Sequence, residues 1–333
     1  MHKPEHAPRR TVAVGADAVN SVRRVRDLVR HAVSRLDQAR VGFGHGTSNA
    51  FDEAVWLVCW TLHLPSEHYA DLADATVAWP EARAALELID LRCTSGKPLA
   101  YLIGEAWLMG YRFRCDERAL VPRSLIAEVL LQGGLDPYLP DLEAHASGQA
   151  DETRPLRILD LCTGGGSLAI IAAANFPDAH VVGSDLSPEA LELAALNLAD
   201  YRLDKRVKLV NGDLYAGLGR QRFDLILCNP PYVNRQSMEA LPAEYRAEPE
   251  DALAGGQDGM DLVARIVAEG ATHLRPGGLL VLEIGHEARH FERRFPDLEF
   301  AYVPVTQGDD RVVVLTQAAL KRVASQDAAS FPK

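Results

Sequence analysis

From Leu156 onward, short apolar runs alternate with helical patterns, and few folds satisfy that alternation. A parallel sheet buries both faces, so its strands read as continuous apolar segments with helices between them. Strands are predicted at 157–161, 180–183, 207–210, 223–228, 279–284, 300–304 and 311–315. The last two lie too close in sequence for a crossover, so the final strand is expected to run antiparallel. The expected fold class is α/β, an open seven-stranded sheet with helices on both faces and not a barrel.

The 333 residues leave room for a second unit ahead of the sheet. Val25, Leu28, Ala32 and Leu36 form one stripe of a helix. GHGTSNAFDEA, residues 44–54, interrupts it with two glycines around His45. Asn49 then stands three residues before Asp52, an N-cap pair opening a helix that carries Trp56, Leu57, Cys59 and Trp60. A third helix follows Pro80, with Ala82, Ala85, Leu86 and Ile89 on its buried side. Beyond the breaker TSGKP, Tyr111, Phe113 and Cys115 alternate with Arg112 and Arg114 as a strand; Asp116-Glu117-Arg118 is expected to turn it back into Ala119-Leu120-Val121. A helix is predicted over 124–132, a polar surface connection over 140–155 and a solvated helix after Ala318. The expected domains are therefore 1–92, helical; 93–125, a hairpin connector; and 126–333, the sheet domain.

Charge and cysteine usage narrow the partners. Forty-six Asp and Glu against 35 Lys and Arg give a formal charge of −11, which disfavours stable binding of nucleic acid and would steer a basic partner. That attraction weakens with salt. No run approaches the ~18 apolar residues of a membrane span, and MHKPEHAPRR lacks an apolar h-region, so neither a membrane nor secretion is expected. Cys59, Cys93, Cys115, Cys162 and Cys228 are odd in number, widely spaced and without a CxxC pair. No disulfide framework and no metal are expected, and a reducing, cytoplasmic setting fits.

Three strand ends carry chemistry. RILDLCTGGGSLAI, 157–170, places Gly164, Gly165 and Gly166 between an apolar strand and an apolar helix, where backbone can approach a ligand, although a tight turn uses the same residues and GxGxxG is incomplete. Asp160 could orient that loop, meet a cofactor ammonium or make a buried structural hydrogen bond. Asp185 ends the second strand, placed to accept both ribose hydroxyl hydrogens of an adenosine cofactor. Asp213, after the third, could accept from an adenine amino group or simply face solvent.

The sharpest signal is FDLILCNPPYVN, 223–234, an apolar strand running directly into Asn229-Pro230-Pro231-Tyr232. Two prolines remove two backbone donors and restrict the torsions, so carbonyl oxygens and the Asn229 side-chain oxygen can form a fixed cup with Tyr232 as an aromatic face. Such a cup suits a planar nitrogen bearing two hydrogens. An amide is a poor nucleophile because its lone pair is conjugated, and acceptors on its protons stabilise the positive charge that develops on attack. The electrophile needs no metal if it carries a good leaving group, as the sulfonium methyl of S-adenosylmethionine does. Attack must be in line, with nitrogen and carbon held about 3–3.5 Å apart.

DLCTGGG, GSDLSPEAL and NPPY resemble the HemK-like class I methyltransferases, which act on the side-chain nitrogen of protein glutamine. The resemblance covers nearly the whole chain and implies the class I (Rossmann-like) sheet with its last strand antiparallel, behind a helical substrate-recognition domain. GHGTSNAFDEA, RALVPRSLIAE and LPAEYRAEPEDALAGGQDG are more similar to the branch that methylates large-subunit ribosomal protein three than to the branch acting on release factors, whose PRPDTE-like segment is replaced here by residues 122–128, PRSLIAE. A release factor, or an adenine or guanine amino group of nucleic acid, is the alternative acceptor. Carried onto this sequence, the resemblance implies S-adenosylmethionine at Asp160, Gly164, Gly166, Asp185, Asp213 and Asn229, and glutamine at Asn229, Pro230, Pro231 and Tyr232, with Phe113 and Arg123 closing the pocket. The implied partner is a basic ribosomal protein met before assembly.

Overall fold

The computed structural model describes residues 22–138 and 154–329. Over these residues the chain forms two compact units, one running to Ile103 and taking in Pro242–Ala247, the other holding Gly104–Leu241 and Glu248 onward. The division falls between Ile103 and Gly104, inside the 93–125 connector, and draws a late segment into the early unit.

In the helical unit, α1 (Val25–Ala39) buries Val25, Leu28, Ala32 and Leu36, as their spacing requires. The Asn49 side chain accepts from the Asp52 N–H at 3.0 Å and opens α2 (Ala50–Thr61), and α3 (Trp79–Ser95) carries Pro80 in its first turn. At the centre lies Arg92, 1% exposed. Its guanidinium donates to Glu53 at 2.7 Å, to Glu244 at 3.1 Å and to the Gly42 carbonyl at 3.0 Å. A buried cation is tolerated only when its donors are satisfied, and Glu244 completes that set. This is why residues 242–247 belong to the helical unit. His45, also buried, rests against Tyr245 with ring centroids 4.3 Å apart, so the GHG turn packs onto the same segment.

The second unit opens on a hairpin that differs from the sequence expectation. Strand β2 (Tyr111–Arg114) pairs backwards with β1 (Glu105–Leu108), not forwards with residues 119–121. Met109 and Gly110 form the two-residue turn with φ of +50° and +84°, the pair of positive values that matches strand twist in a tight hairpin. Methionine is a rare choice there, which hid the turn.

Helix α4 (Ile126–Leu131) follows within the predicted 124–132. The connection expected at 140–155 lies almost wholly outside the described residues. The sheet then comprises β3 (Arg157–Leu161), β4 (His180–Asp185), β5 (Val207–Asn211), β6 (Phe223–Cys228), β7 (Leu274–Glu283), β8 (Ala301–Val305) and β9 (Gly308–Thr316) in the order β5-β4-β3-β6-β7-β9-β8. Five strands are parallel, and the last, β9, runs against both β7 and β8, as expected.

Alternation along the strands feeds two cores. Ile158, Val181, Leu225, Leu227 and Val281 face α4 and α5 (Ser167–Asn175). Leu159, Val182, Ile226, Leu280 and Leu282 face α8 (Asp261–His273), α9 (Ala288–Arg294) and α10 (Gln317–Ala329). Two further helices are α6 (Pro188–Asp200), which packs on β4 and β5, and α7 (Arg235–Ala240). All six residues of β6 are buried.

At the amino end of the sheet a single buried carboxylate, Asp224, gathers two arginines: Arg154 at 2.6 and 2.8 Å, Arg275 at 3.3 Å, and the Arg157 N–H at 2.8 Å. Burial alone would raise this carboxyl, but the hydrogen bonds from Arg154 and Arg157 and the arginine charges outweigh it and hold it below the ordinary aspartate range. A folded-state pKa below the unfolded one stabilises at neutral pH and is lost as pH falls through the folded value. Replacing Asp224 with Asn is expected to cost about 2–4 kcal/mol at pH 7, because two cations lose their counter-charge, with the deficit shrinking in denaturant titrations as pH falls through the lowered pKa of the folded state.

Candidate cofactor and acceptor site

A cavity of about 440 Å³ opens where β3, β4, β5 and β6 end, lined among others by Asp160, Gly164, Asp185, Asp213, Asn229 and Pro231. Chain order reverses between β3 and β6, and such switch points are where open α/β sheets leave a crevice. Register makes the two sides neighbours, since Leu161 of β3 stands opposite Cys228 of β6.

On the β3 side, Asp160 is 1% exposed. Its Oδ2 accepts from Thr163 Oγ1 and from the Ala169 N–H, so it holds both the glycine loop and the first turn of α5. Its Oδ1 is buried, with no hydrogen-bond partner among the described residues. Burial pushes this carboxyl up to about 7, against those two hydrogen bonds and with a small addition from the Asp185 charge. Asp185, the last residue of β4, accepts from the Gly164 N–H at 2.8 Å and the Ser187 N–H at 2.9 Å, and burial raises it despite these bonds. Gly164 and Gly165 line the cavity, whereas Gly166 does not. At φ +84°, a Cβ on Gly166 would stand 3.1 Å from Ala194 Cβ, so this glycine serves the packing of the loop on α6. Cys162, a free thiol, also lines the cavity and sits at φ +62°.

On the far wall, Asp213 is half exposed and paired with Arg265 at 2.8 Å. Asn229 and Pro231 reach the cavity directly after β6; Pro230 and Tyr232 are not among its lining residues. The Tyr232 hydroxyl instead donates to Glu283 Oε1 at 3.0 Å. Arg123 lines the cavity with its guanidinium held by Glu248 through two bonds of 2.5 and 2.7 Å. Phe113 is not brought to the site. Its ring is 1% exposed inside the core with Ile126 and Ile170, because the odd positions of β2 face the sheet. Two acids passed over in the sequence complete the framework: Glu248, which also accepts from the Val121 N–H, and Glu283, which also holds Ser124 and Leu125. Each had a local sign, since Glu283 ends the apolar run LLVLE and Glu248 precedes a proline.

Comparison with known proteins agrees with this geometry. Residues 148–244 match the family model of the methyltransferase small domain. Over 307 residues the chain is 50% identical to the ribosomal protein uL3 glutamine methyltransferase of Burkholderia pseudomallei, covering 90% of this chain and 96% of that protein. The counterpart in Bordetella pertussis is 51% identical over 296 residues, covering 89% and 96%, and that in Neisseria gonorrhoeae 42% over 304 residues, covering 91% and 97%. The chain belongs to the ribosomal protein uL3 glutamine methyltransferase family.

The methyl donor of this family is S-adenosylmethionine, and the cavity fits it. Asp160 Oδ1 is an orphan acceptor where an ammonium could be met, and the Asp185 carboxylate keeps acceptor capacity beyond its backbone bonds.

The raised Asp160 carboxyl has a measurable consequence. Its folded value of about 7 exceeds an unfolded value near 3.9, so between these the ligand-free folded state holds a proton that the unfolded state has released. Wild-type stability should therefore fall as pH rises toward 7, while Asp160→Asn, which cannot ionise, escapes that term. Thermal melts without ligand are expected to show the difference between variant and wild type shifting in favour of the variant from pH 5 to pH 8; a constant difference would contradict the buried orphan carboxyl.

Proposed function

We propose that this chain transfers a methyl group from S-adenosylmethionine to the side-chain amide nitrogen of a glutamine in ribosomal protein uL3. The observation that carries the reading is the Asn229-Pro230-Pro231-Tyr232 turn at the end of β6, opening on the same cavity as Asp160, Gly164 and Asp185. The family relatives carry that activity in their names.

The bound cofactor supplies a sulfonium methyl carbon as electrophile. The chain's own residues do the rest. Asp160 takes the ammonium on its free oxygen, Asp185 accepts from the ribose hydroxyls, and the Gly164 loop lets backbone approach, with Asp213 at the adenine side. Asn229 Oδ1 and the Pro230 carbonyl accept the two amide hydrogens of glutamine, which fixes the plane of the amide and aims its nitrogen into the cavity. Those acceptors are already in place when positive charge develops on nitrogen, so no reorganisation is needed at the moment of transfer. The proton then lost is acidic, and water suffices to take it. Paired with Glu248, Arg123 shapes the wall and does not act as a free cation.

The acceptor protein is basic and is met before ribosome assembly, while its glutamine is still accessible; the net charge of −11 favours such an encounter. The helical unit contributes recognition. A cytoplasmic setting accords with five free cysteines, and among the described residues no helix is long and apolar enough to cross a membrane.

Incubation with labelled cofactor and unassembled uL3, followed by peptide mapping, should place the label on a glutamine of uL3. Label on a release factor alone, or label removed by nuclease, would overturn the assignment. Asn229→Ala is expected to lower kcat by about 10²–10³, the usual loss for one preorganised transition-state partner, while cofactor affinity stays intact. Equal loss of both would move Asn229 out of the acceptor role.

A further inference from the structure

The acceptor turn is not held by its own strand alone. The end of β7 and the residues after it read Glu283-Ile284-Gly285-His286-Glu287, and three of these residues grip the segment that follows Pro231. Glu283 Oε1 accepts the Tyr232 hydroxyl at 3.0 Å. Gly285, at φ +53°, lies flat against the Tyr232 ring, where any Cβ would collide with ring carbons. Glu287 Oε1 accepts from Asn234 Nδ2 at 2.5 Å, while Asn234 Oδ1 caps α7 by accepting from the Ser237 N–H at 2.9 Å. The other oxygen of Glu283 is engaged as well, by Ser124 Oγ at 2.6 Å and the Leu125 N–H at 2.9 Å. Glu283 is 3% exposed. Burial raises its carboxyl, and the bonds from Ser124, Tyr232 and Leu125 work in the opposite direction.

Such an arrangement has no need of a bound group to be complete, and it ties down the ring that would otherwise be free to lie over an amide. We propose that Glu283 is a positioning residue for methyl transfer: by fixing the Tyr232 hydroxyl it anchors the downstream end of the acceptor turn, and so sets where Asn229 Oδ1 and the Pro230 carbonyl point. This rests on the assignment of the turn as the glutamine-amide acceptor. Tyr232 then acts through the backbone of its own turn and contributes no face to the substrate. Strand β6 fixes the turn at Cys228, four residues upstream, and Glu283 fixes it at Tyr232; with both ends held and two prolines between them, few torsions remain. An amide acceptor displaced by 1 Å still binds a flexible glutamine side chain but no longer presents its nitrogen in line, so the loss falls on turnover and not on binding.

The test uses the full chain with unassembled uL3 and S-adenosylmethionine. Tyr232→Phe removes the hydroxyl and leaves Glu283 its bonds to Ser124 and Leu125. It is expected to lower kcat about tenfold, the worth of one charge-assisted hydrogen bond, with KM for uL3 and cofactor affinity within about twofold. Glu283→Ala should lose at least as much, and Glu283→Gln should recover most of that loss. The Gln carbonyl can accept from Ser124 and Leu125 while its amide donates to the Tyr232 oxygen. Wild-type kcat in Tyr232→Phe, or a raised KM with unchanged kcat, would overturn the positioning role, the second by placing the hydroxyl in substrate binding. A wild-type chain that marks no glutamine would instead remove the functional assignment, and this inference with it.

Discussion

Everything at the ligand end of the sheet depends on the parallel pairing of β3 with β6. Register sets Leu161 against Cys228, so the glycine loop leaves one strand beside the point where the Asn229 turn leaves the other. No helix or loop has to bring the two halves of the site together. They are adjacent because the order of strands reverses there, and the backbone ladder keeps them adjacent to within the tolerance of a hydrogen bond. In-line transfer needs two reacting atoms held at near-contact distance, and the carboxyl ends of two hydrogen-bonded central strands give both halves of the site a rigid frame.

Buried carboxylates are treated in two different ways along this molecule. At the amino end of the sheet Asp224 is neutralised by arginines, and in the helical unit Arg92 is neutralised by Glu53 and Glu244. These are closed ion pairs with structural value. Around the cavity, Asp160, Asp185 and Glu283 are held by N–H and O–H donors instead of cations, and burial raises all three. Neutral donors orient a carboxylate without quenching it. Asp160 is thereby left with an unsatisfied oxygen in a wall that suits a cationic ligand, whereas Glu283 spends its oxygens on the protein itself.

Much of this was legible in the sequence, and what was not has a physical reason. The strands of the sheet and the antiparallel last strand follow from apolar runs and loop lengths, which are local signals. Asp185 and Asn229 stand out because each closes a strand, and Asp160 because it interrupts an apolar one beside the glycine loop. Phe113 shows the limit: a period of two says that alternate residues share a face, but not whether that face meets a cavity or a core. The hairpin partner of β2 is not legible because Met109 occupies a turn position that usually advertises itself with Asn or Asp. Arg92 with Glu244 spans 152 positions, and Tyr232 with Glu283 spans 51. Pairings of that length leave no trace in local pattern, though a charged residue closing LLVLE and a lone arginine in a buried helix face were both anomalies that asked for a partner.

The most direct measurement is a crystal structure of the chain with S-adenosylhomocysteine, the demethylated cofactor, and a glutamine-bearing uL3 peptide. Expected is a carboxamide whose nitrogen lies within about 3 Å of both Asn229 Oδ1 and the Pro230 carbonyl and faces the cofactor sulfur. A carboxamide bound elsewhere, or Asn229 turned away with its oxygen satisfied by the protein, would contradict the acceptor turn as the seat of the chemistry.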